Sequence, residues 1–256
     1  MSDDEQERPS GLRAEIARDE IHRIAVSLID NVERLLLISH EYREVDATTF
    51  RHLNLRWYAA TQRRLEGMGF KLLTDVEDAA LKQGLTDPRT FLRLLVRQGG
   101  EVMAACYHPK PRWLLRLLAF VTRVRLRKVV ELETEFDDGV FICTTDSSLA
   151  DEFELPAEID LEMMPGSPTL EALLARHDER VETYLAQGRG SALKVRSFFD
   201  ALQAQNRQNA LRFKHREEVG LVTLGEITRF LKGNEPKARL VKAEVERILE
   251  ERQHRG

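Results

Sequence analysis

Cysteine is scarce in this sequence, which has only Cys106 and Cys143 among its 256 residues. Two cysteines exclude the multi-bridge disulfide framework of small secreted domains, and no CxxC pair marks a structural zinc site. Both lie in apolar stretches, where a reduced cysteine usually serves as a small buried hydrophobic residue. We therefore expect reduced thiols and a cytoplasmic location.

Long apolar runs are also missing. No uncharged stretch approaches the roughly 20 residues that a membrane-spanning helix needs, so we expect no transmembrane helix. The first ten residues, MSDDEQERPS, are acidic and lack the apolar core of a signal peptide. Their composition predicts a disordered tail over residues 1–10 and no secretory signal.

Familiar catalytic and cofactor-binding motifs are absent. The sequence has no P-loop, no dinucleotide-binding GxGxxG, no GxSxG, no HExxH and no EF-hand loop. Its seven histidines are scattered, and none stands at metal-ligand spacing on a predicted helix. The sequence therefore predicts no metal site and no cofactor and identifies no catalytic activity, and a protein that is not an enzyme is favoured.

Charge is unevenly distributed, although the formal net charge is only −4. Residues 102–128 include seven basic side chains and no acidic one. Residues 129–182 have sixteen acidic side chains against two arginines, and residues 183–256 have fifteen basic against nine acidic ones. Such a partition predicts either internal ion pairing or separate surfaces for different partners.

Residues 110–128 combine this positive charge with a strongly apolar helix predicted over residues 113–124. Two interpretations remain open: the helix is buried against the sheet, or it lies in an anionic membrane surface with its basic residues toward the head groups. Nucleic acid is a disfavoured partner, because leucines and valines interrupt the charges and an acidic stretch follows at once. The candidate membrane- or partner-binding residues are Trp113, Arg116, Arg123, Arg125, Arg127 and Lys128.

The N-terminal segment has the apolar spacing of a helix. Its apolar residues recur at alternating intervals of three and four residues when Asn31 is counted among them. This spacing is typical of a helix that packs along another helix. The spacing continues to Tyr42 and Val45. We expect a protein partner or self-association through this face, by way of Ile21, Ile24, Leu28, Leu35 and Ile38.

A break in this helical segment is predicted near residue 46. The sequence DATTF offers Asp46 or Thr48 as an N-cap. A second helix is expected from there to about Glu66, and the glycines of GMGF then end it.

Strand signals fill the middle of the chain. Residues 70–74 are a short candidate strand, and two longer pairs flank the glycine turns at Gly99 and Gly100 and at Asp138 and Gly139. For the second turn we expect type I′ geometry, which requires a positive φ at both residues. The sequence thus predicts an α+β fold with an antiparallel sheet of four to five strands packed on helices, between long N-terminal and C-terminal helices.

The acidic strand ELETEF has two interpretations. Glu131, Glu133 and Glu135 alternate with apolar residues, so they share one face of the strand. The simpler interpretation is a hairpin with one face in water. The alternative is a ligand-binding or catalytic site between sheet and helix, with Glu133, Glu135 and His177 as candidates.

The last third of the chain is predicted to be helical. After an acidic, loop-like stretch, Ser167 or Thr169 can cap a helix over about residues 168–186. Further helices are expected, with Phe199 and Leu240 among their buried residues, over residues 192–218, 224–232 and 236–252. The expected organisation is a helical segment over 11–66, an α+β core over 67–187 and a C-terminal helical segment over 188–256.

Several of these features together resemble a group of bacterial proteins with no known activity. The features are LEGMGF, a strand pair that ends VMAACYH, ELETEFDDGVFICTTDSS and SPTLEALLARHDERV, and they cover about residues 63–184. In that group a TExxDG-type hairpin precedes a helix with LLxxHxxR. The resemblance implies a compact α+β module, often attached to helical or membrane-linked segments, although this chain has Met68 between its two glycines and no hydrophobic anchor. The positions carried over are Thr134, Glu135, Asp138, Gly139, His177 and Arg180.

The expected function is a non-enzymatic binding or scaffold module in the bacterial cytoplasm, with residues 110–128 as a peripheral contact to the inner membrane surface. The alternative is a small enzyme or ligand-binding protein that uses Glu133, Glu135 and His177. The two differ in geometry, because an enzyme needs these side chains within hydrogen-bond reach in a cleft.

Overall fold

The structure is a computed structural model, and it describes residues 8–37, 39–81, 89–108, 128–147, 153–164 and 166–254. These residues form two compact units. A helical unit contains residues 8–37 and 212–254 together with Phe153 and Glu154. A sheet unit contains the other described residues, from 39–147 and 155–211.

The sheet unit is built on one sheet, which has seven strands over the described residues. The strands lie side by side in the order in which they occur in the sequence. Neighbouring strands are antiparallel except for the last pair, which is parallel. The predicted α+β class is therefore confirmed. The strands are β1 (Tyr42–Glu44), β2 (Phe70–Asp78), β3 (Leu92–Arg97), β4 (Met103–Tyr107), β5 (Val129–Glu135), β6 (Phe141–Thr145) and β7 (Ile159–Met163).

The prediction of four to five strands was too low. Strand β1 was missed because three residues are too short to show a period of two, and Tyr42 pairs with Asp78 of β2 where a continuing helix was expected. Strand β7 was missed because its two acidic residues, Asp160 and Glu162, made the stretch look like a loop. Arg176 and Arg180 pair with these acids, so they are compatible with a strand.

Both predicted hairpins are present. Strands β3 and β4 pair around Gly99 and Gly100, whose φ angles of 115° and 89° favour glycine. Strands β5 and β6 pair around Gly139, with φ 86°, but Asp138 does not have a positive φ, so the predicted type I′ geometry is wrong. Asp138 instead accepts hydrogen bonds from the Tyr184 hydroxyl and from a backbone N–H within the turn.

Helices cover both faces of the sheet: α2 (Leu55–Gly67), α3 (Leu170–Ala186) and α4 (Phe198–Glu218). Helices α2 and α3 pack on one face, over an apolar core that includes Leu132 of β5. The first part of α4 packs on the other face, where Ala201 joins the cluster around Met103. The predicted water-exposed face of the hairpin is therefore wrong, and Glu133 and Glu135 are only 8% and 6% exposed.

The helical unit consists of α1 (Arg8–Leu36), α5 (Leu224–Phe230), α6 (Glu235–Gln253) and the end of α4. Apolar residues of α1, such as Ile29 and Val32, pack with Val241 and Val245 of α6. Since α1 begins at Arg8, the predicted disordered tail is wrong for residues 8–10. Residues 1–7 of that tail lie outside the described residues.

The predicted C-terminal helices are present, although α4 begins at Phe198 and not at Ala192, and the predicted cap of α3 is confirmed. Thr169 accepts a hydrogen bond from the Ala172 N–H at 3.2 Å. Two predicted core residues are instead exposed, Phe199 at 64% and Leu240 at 61%. The buried face of α6 passes through Val241 and its neighbours at helical spacing, so Leu240 lies one position off that face.

Neither cysteine forms a disulfide, and both are buried, as expected for small hydrophobic residues. Burial raises the pKa of the Cys106 thiol to about 12. Among the described helices, none is long and apolar enough to cross a membrane. The predicted apolar helix over residues 113–124 lies outside the described residues.

Candidate functional site

His177 lies where α3 meets strands β5 and β6 of the sheet, and its side chain is 0% exposed. The imidazole joins two strands. Its Nε2 atom is 2.9 Å from Thr134 Oγ1 of β5, and its Nδ1 atom is 3.0 Å from Thr144 Oγ1 of β6. The side chain is thus fully enclosed between helix and sheet.

Arg180, one helical turn further along α3, extends this hydrogen-bond network. It donates to Thr144 Oγ1 at 2.7 Å and to backbone carbonyls of β6 and β7. A threonine hydroxyl has one hydrogen and two lone pairs, so Thr144 can accept from Arg180 and also bond to His177 Nδ1. With Thr144 at Nδ1 and Thr134 at Nε2, both ring nitrogens of the neutral imidazole have a hydrogen-bond partner.

The surroundings of His177 favour its neutral form. Burial, together with the positive charges of Arg180 and Arg97, lowers the pKa of His177 to about 3. A general base must reach a substrate proton, directly or through one water. His177 has no exposed surface from which to do so, and its geometry is that of a structural tie.

Glu133 and Glu135 lie on the opposite face of the sheet from His177. Adjacent residues of a strand point to opposite faces, and Thr134, the partner of His177, separates the two glutamates. On their own face, Arg207 of α4 forms an ion pair with Glu135, with one N–O distance of 2.7 Å. The structure therefore brings the two glutamates to α4 and does not bring them to His177.

One set of side chains in the described residues has donor atoms close enough to share a metal ion. One donor atom from each of Glu131, Glu133 and Cys143 lies within 4.8 Å of the other two. Carboxylate and thiolate groups suit Zn²⁺. However, the amide of Gln208 donates to Glu133 Oε2 at 2.9 Å and to Cys143 Sγ at 3.5 Å. A hydrogen-bond donor in this position occupies lone pairs that a cation would need.

Of the predicted membrane- or partner-binding residues, only Lys128 is described. Its Nζ atom is 5.8 Å from the centroid of the Trp57 ring, which is within the range of a cation–π contact. Strands β4 and β5, on either side of the basic segment, pair through Tyr107 and Val129. The chain therefore leaves and re-enters the sheet at the same end. The other predicted residues lie outside the described residues: Trp113, Arg116, Arg123, Arg125 and Arg127.

The predicted partner-binding face of α1 has contacts within the helical unit. Ile21, Ile24 and Leu28 pack in the apolar cluster that α1 forms with α6. The side chains of Leu35 and Ile38 lie outside the described residues. Association with a partner through this face stays a prediction.

A buried ion pair in the helical unit was missed by the sequence analysis. The side chains of Arg216 and Glu226 are each 3% exposed, and their closest N–O distance is 2.7 Å. Glu226 is also the third residue of α5, where it forms a capping box with Thr223. The TxxE spacing could have identified Glu226. No sequence pattern marks Arg216 as its partner.

Comparison with known proteins adds no assignment: no protein-family model, no curated protein and no solved structure matches the chain. The resemblance to the bacterial group stays a prediction. Three of the positions that carry it, Thr134, His177 and Arg180, belong to the single hydrogen-bond network between α3 and the sheet.

Proposed function

We propose that the chain is a non-enzymatic binding module that attaches to an anionic membrane surface through residues 110–128. The observation that supports a non-enzymatic module is how the polar side chains between the sheet and its covering helices are used. His177 and Arg180 hold α3, and Glu135 holds α4. A catalytic side chain has to reach a substrate, and these side chains face other protein atoms instead.

The charge and apolar content of residues 110–128 support a membrane as the partner. The segment has seven basic residues and no acidic one, interleaved with leucine, valine and Trp113. A basic residue near an anionic bilayer contributes about 1 kcal/mol to binding, and apolar side chains add to this by entering the interface. Because β4 and β5 are paired at both ends of the segment, it can contact a surface without separating these strands.

The alternative, an enzyme that uses Glu133, Glu135 and His177, has less support. Its three side chains would have to converge on one substrate, but the glutamates and the histidine belong to opposite faces of β5. Each is also engaged by a partner from the covering helix or from the sheet.

Vesicle flotation tests the membrane proposal. The protein is mixed with neutral phosphatidylcholine vesicles or with vesicles that also contain phosphatidylserine, at low and at high salt. We expect flotation only with the anionic vesicles, and a loss of binding at high salt, because the screening length falls from about 10 Å at 0.1 M to about 3 Å at 1 M salt. Absence of flotation with anionic vesicles at low salt would overturn the proposal.

A further inference from the structure

The helical unit holds two residues that come from the middle of the sequence. Phe153 and Glu154 lie in the connection between β6 and β7, yet they belong to the unit formed by α1, α5, α6 and the end of α4. Their polar contacts in that unit are made by Arg216, Glu226 and Arg229.

Both backbone groups of Glu154 are bound by the buried ion pair. The Glu154 N–H donates to Glu226 Oε1 at 2.6 Å, and Arg216 donates to the Glu154 carbonyl. Arg216 also donates to both carboxylate oxygens of Glu226, at 2.7 and 3.0 Å. The ion pair thus holds one residue by its main chain, which is how proteins commonly bind an extended peptide.

The side chains of the two residues have separate recognition contacts. The guanidinium carbon of Arg216 lies 5.6 Å from the centroid of the Phe153 ring, in the range of a cation–π contact. Phe153 also packs against the apolar cluster of the unit. Arg229, which is half-exposed, lies 3.5 Å from the Glu154 carboxylate. An aromatic residue followed by an acidic residue therefore fits this position.

The surrounding backbone is strained in a way that favours a recognition role. Leu221 has a φ of 72°, in the left-handed region that favours glycine, and its carbonyl accepts a hydrogen bond from Arg216 at 3.3 Å. Strained residues of this kind cluster at binding sites and switches. A buried ion pair adds little net stability, because its desolvation offsets much of its attraction. Stability alone is thus a weak reason for this arrangement.

We propose that Arg216, Glu226 and Arg229 form a peptide-binding slot for an extended segment in which an aromatic residue precedes an acidic one. Phe153 and Glu154 occupy this slot in cis. A partner protein that carries such a segment competes with the chain's own residues for the slot. This inference goes beyond membrane attachment and does not depend on it.

Peptide titration of the full chain, followed by amide chemical shifts, tests the slot. The variant Phe153→Ala with Glu154→Pro removes the ring and the N–H from the cis segment. The probe is an acetylated and amidated peptide with the sequence FELPAE of residues 153–158. We expect saturable shifts around residues 221–226 in the variant. Binding should be at least about tenfold weaker in the wild type, where the cis segment competes at an effective concentration on the order of millimolar.

The control peptide replaces the phenylalanine with alanine and the glutamate with glutamine, and it should give no saturable shifts. Equal binding of the two peptides, or no saturable shift in the folded variant, overturns the proposal.

A measurement on the wild type keeps the proposal testable if the variant does not fold. The Glu154 amide should exchange with solvent at least about a hundredfold more slowly than a free amide, since it donates to buried Glu226. Exchange at the free rate overturns the proposal.

The peptide-slot proposal and the membrane proposal can be tested independently of each other. The double variant keeps residues 110–128 intact, so it should float with anionic vesicles as the wild type does. Loss of flotation in this variant would contradict the independence of the two sites.

Discussion

The imidazole of His177 is hydrogen-bonded to the hydroxyl of Thr134 at 2.9 Å, at a point where α3 and the sheet exclude water. On the other face of the same strand, Glu135 is paired with Arg207 of α4. In the sequence, His177 and Glu135 are candidates for an acid–base pair. In the structure they instead hold different helices to opposite faces of one strand. Their chemistry is used for assembly of the sheet unit.

Replacement of His177 by alanine should destabilise the protein. The variant His177→Ala leaves a cavity and removes a hydrogen-bond partner from both Thr134 and Thr144, so we expect a loss of about 2–4 kcal/mol in the free energy of unfolding. Urea unfolding measures this loss. His254→Ala, at the exposed end of α6, is the matched control and should have no measurable effect. Similar stabilities of the two variants would contradict the role of His177 as a tie.

Stability should fall on acidification because of His177. The pKa of this side chain is about 3 in the folded protein, whereas the ordinary value of 6.5 applies to the unfolded chain. Between these two pH values the unfolded state therefore binds one proton that the folded state does not. The free energy of unfolding therefore decreases as the pH falls from about 6.5 toward 3, by up to about 1.4 kcal/mol per pH unit. Above pH 6.5 the ring is neutral in both states and contributes no slope.

Unfolding of the wild type and of His177→Gln at several pH values separates this contribution from that of the carboxyl groups. The carboxyl groups are common to both proteins, so the difference in slope belongs to His177. The variant should have the shallower slope between pH 6.5 and 4.5. Parallel slopes would show that His177 becomes protonated in the folded state.

Removal of one member of the buried ion pair should destabilise the fold much more than removal of one member of an exposed pair. Glu226→Gln leaves Arg216 buried without a full counter-charge, and we expect a loss of about 3–5 kcal/mol. Glu251→Gln removes one of the two carboxylate partners of Arg247 at an exposed position of α6, where ion pairs contribute little. Thermal and urea unfolding of both variants compares the two sites. Equal effects would mean that solvent screens the Arg216 site as well.

The protein should not bind divalent metal ions tightly at Glu131, Glu133 and Cys143. The Gln208 amide directs its N–H groups at two of these donors, so a cation there would meet a positive dipole. Calorimetric titration with Zn²⁺ should give no binding tighter than about 10 μM, well below the affinity of structural zinc sites. Gln208→Glu exchanges the donor for a carboxylate and should strengthen binding. Tight binding by the wild type alone would show that Gln208 moves aside.

Local sequence patterns predicted the elements that are long enough to show a hydrophobic period or that are bounded by a clear turn or cap. The hairpin around Gly99, the helix capped by Thr169 and the C-terminal helices all follow from such signals. The three-residue strand β1 has too few residues to show a period. In β7, Asp160 and Glu162 conceal the alternation, because the arginines that neutralise them come from outside the strand, on the helix α3 that follows it.

The environment of the candidate residues could not be predicted from the sequence. Alternation correctly placed Glu133 and Glu135 on one face of β5, but it carries no information about what covers that face. Arg207, which pairs with Glu135, is 72 residues away in the sequence. The same limit applies to His177, whose two hydroxyl partners come from different strands.

Flotation of two charge-reversal variants tests the central claim, membrane attachment through residues 110–128, most directly. The first variant carries Arg123→Glu, Arg125→Glu and Arg127→Glu. The control carries Arg189→Glu, Lys214→Glu and Arg239→Glu, at exposed positions elsewhere, and changes the net charge equally. We predict that the first variant no longer floats with phosphatidylserine vesicles while the control floats as the wild type does. Equal loss in both variants, or flotation of the first, would contradict attachment through this segment.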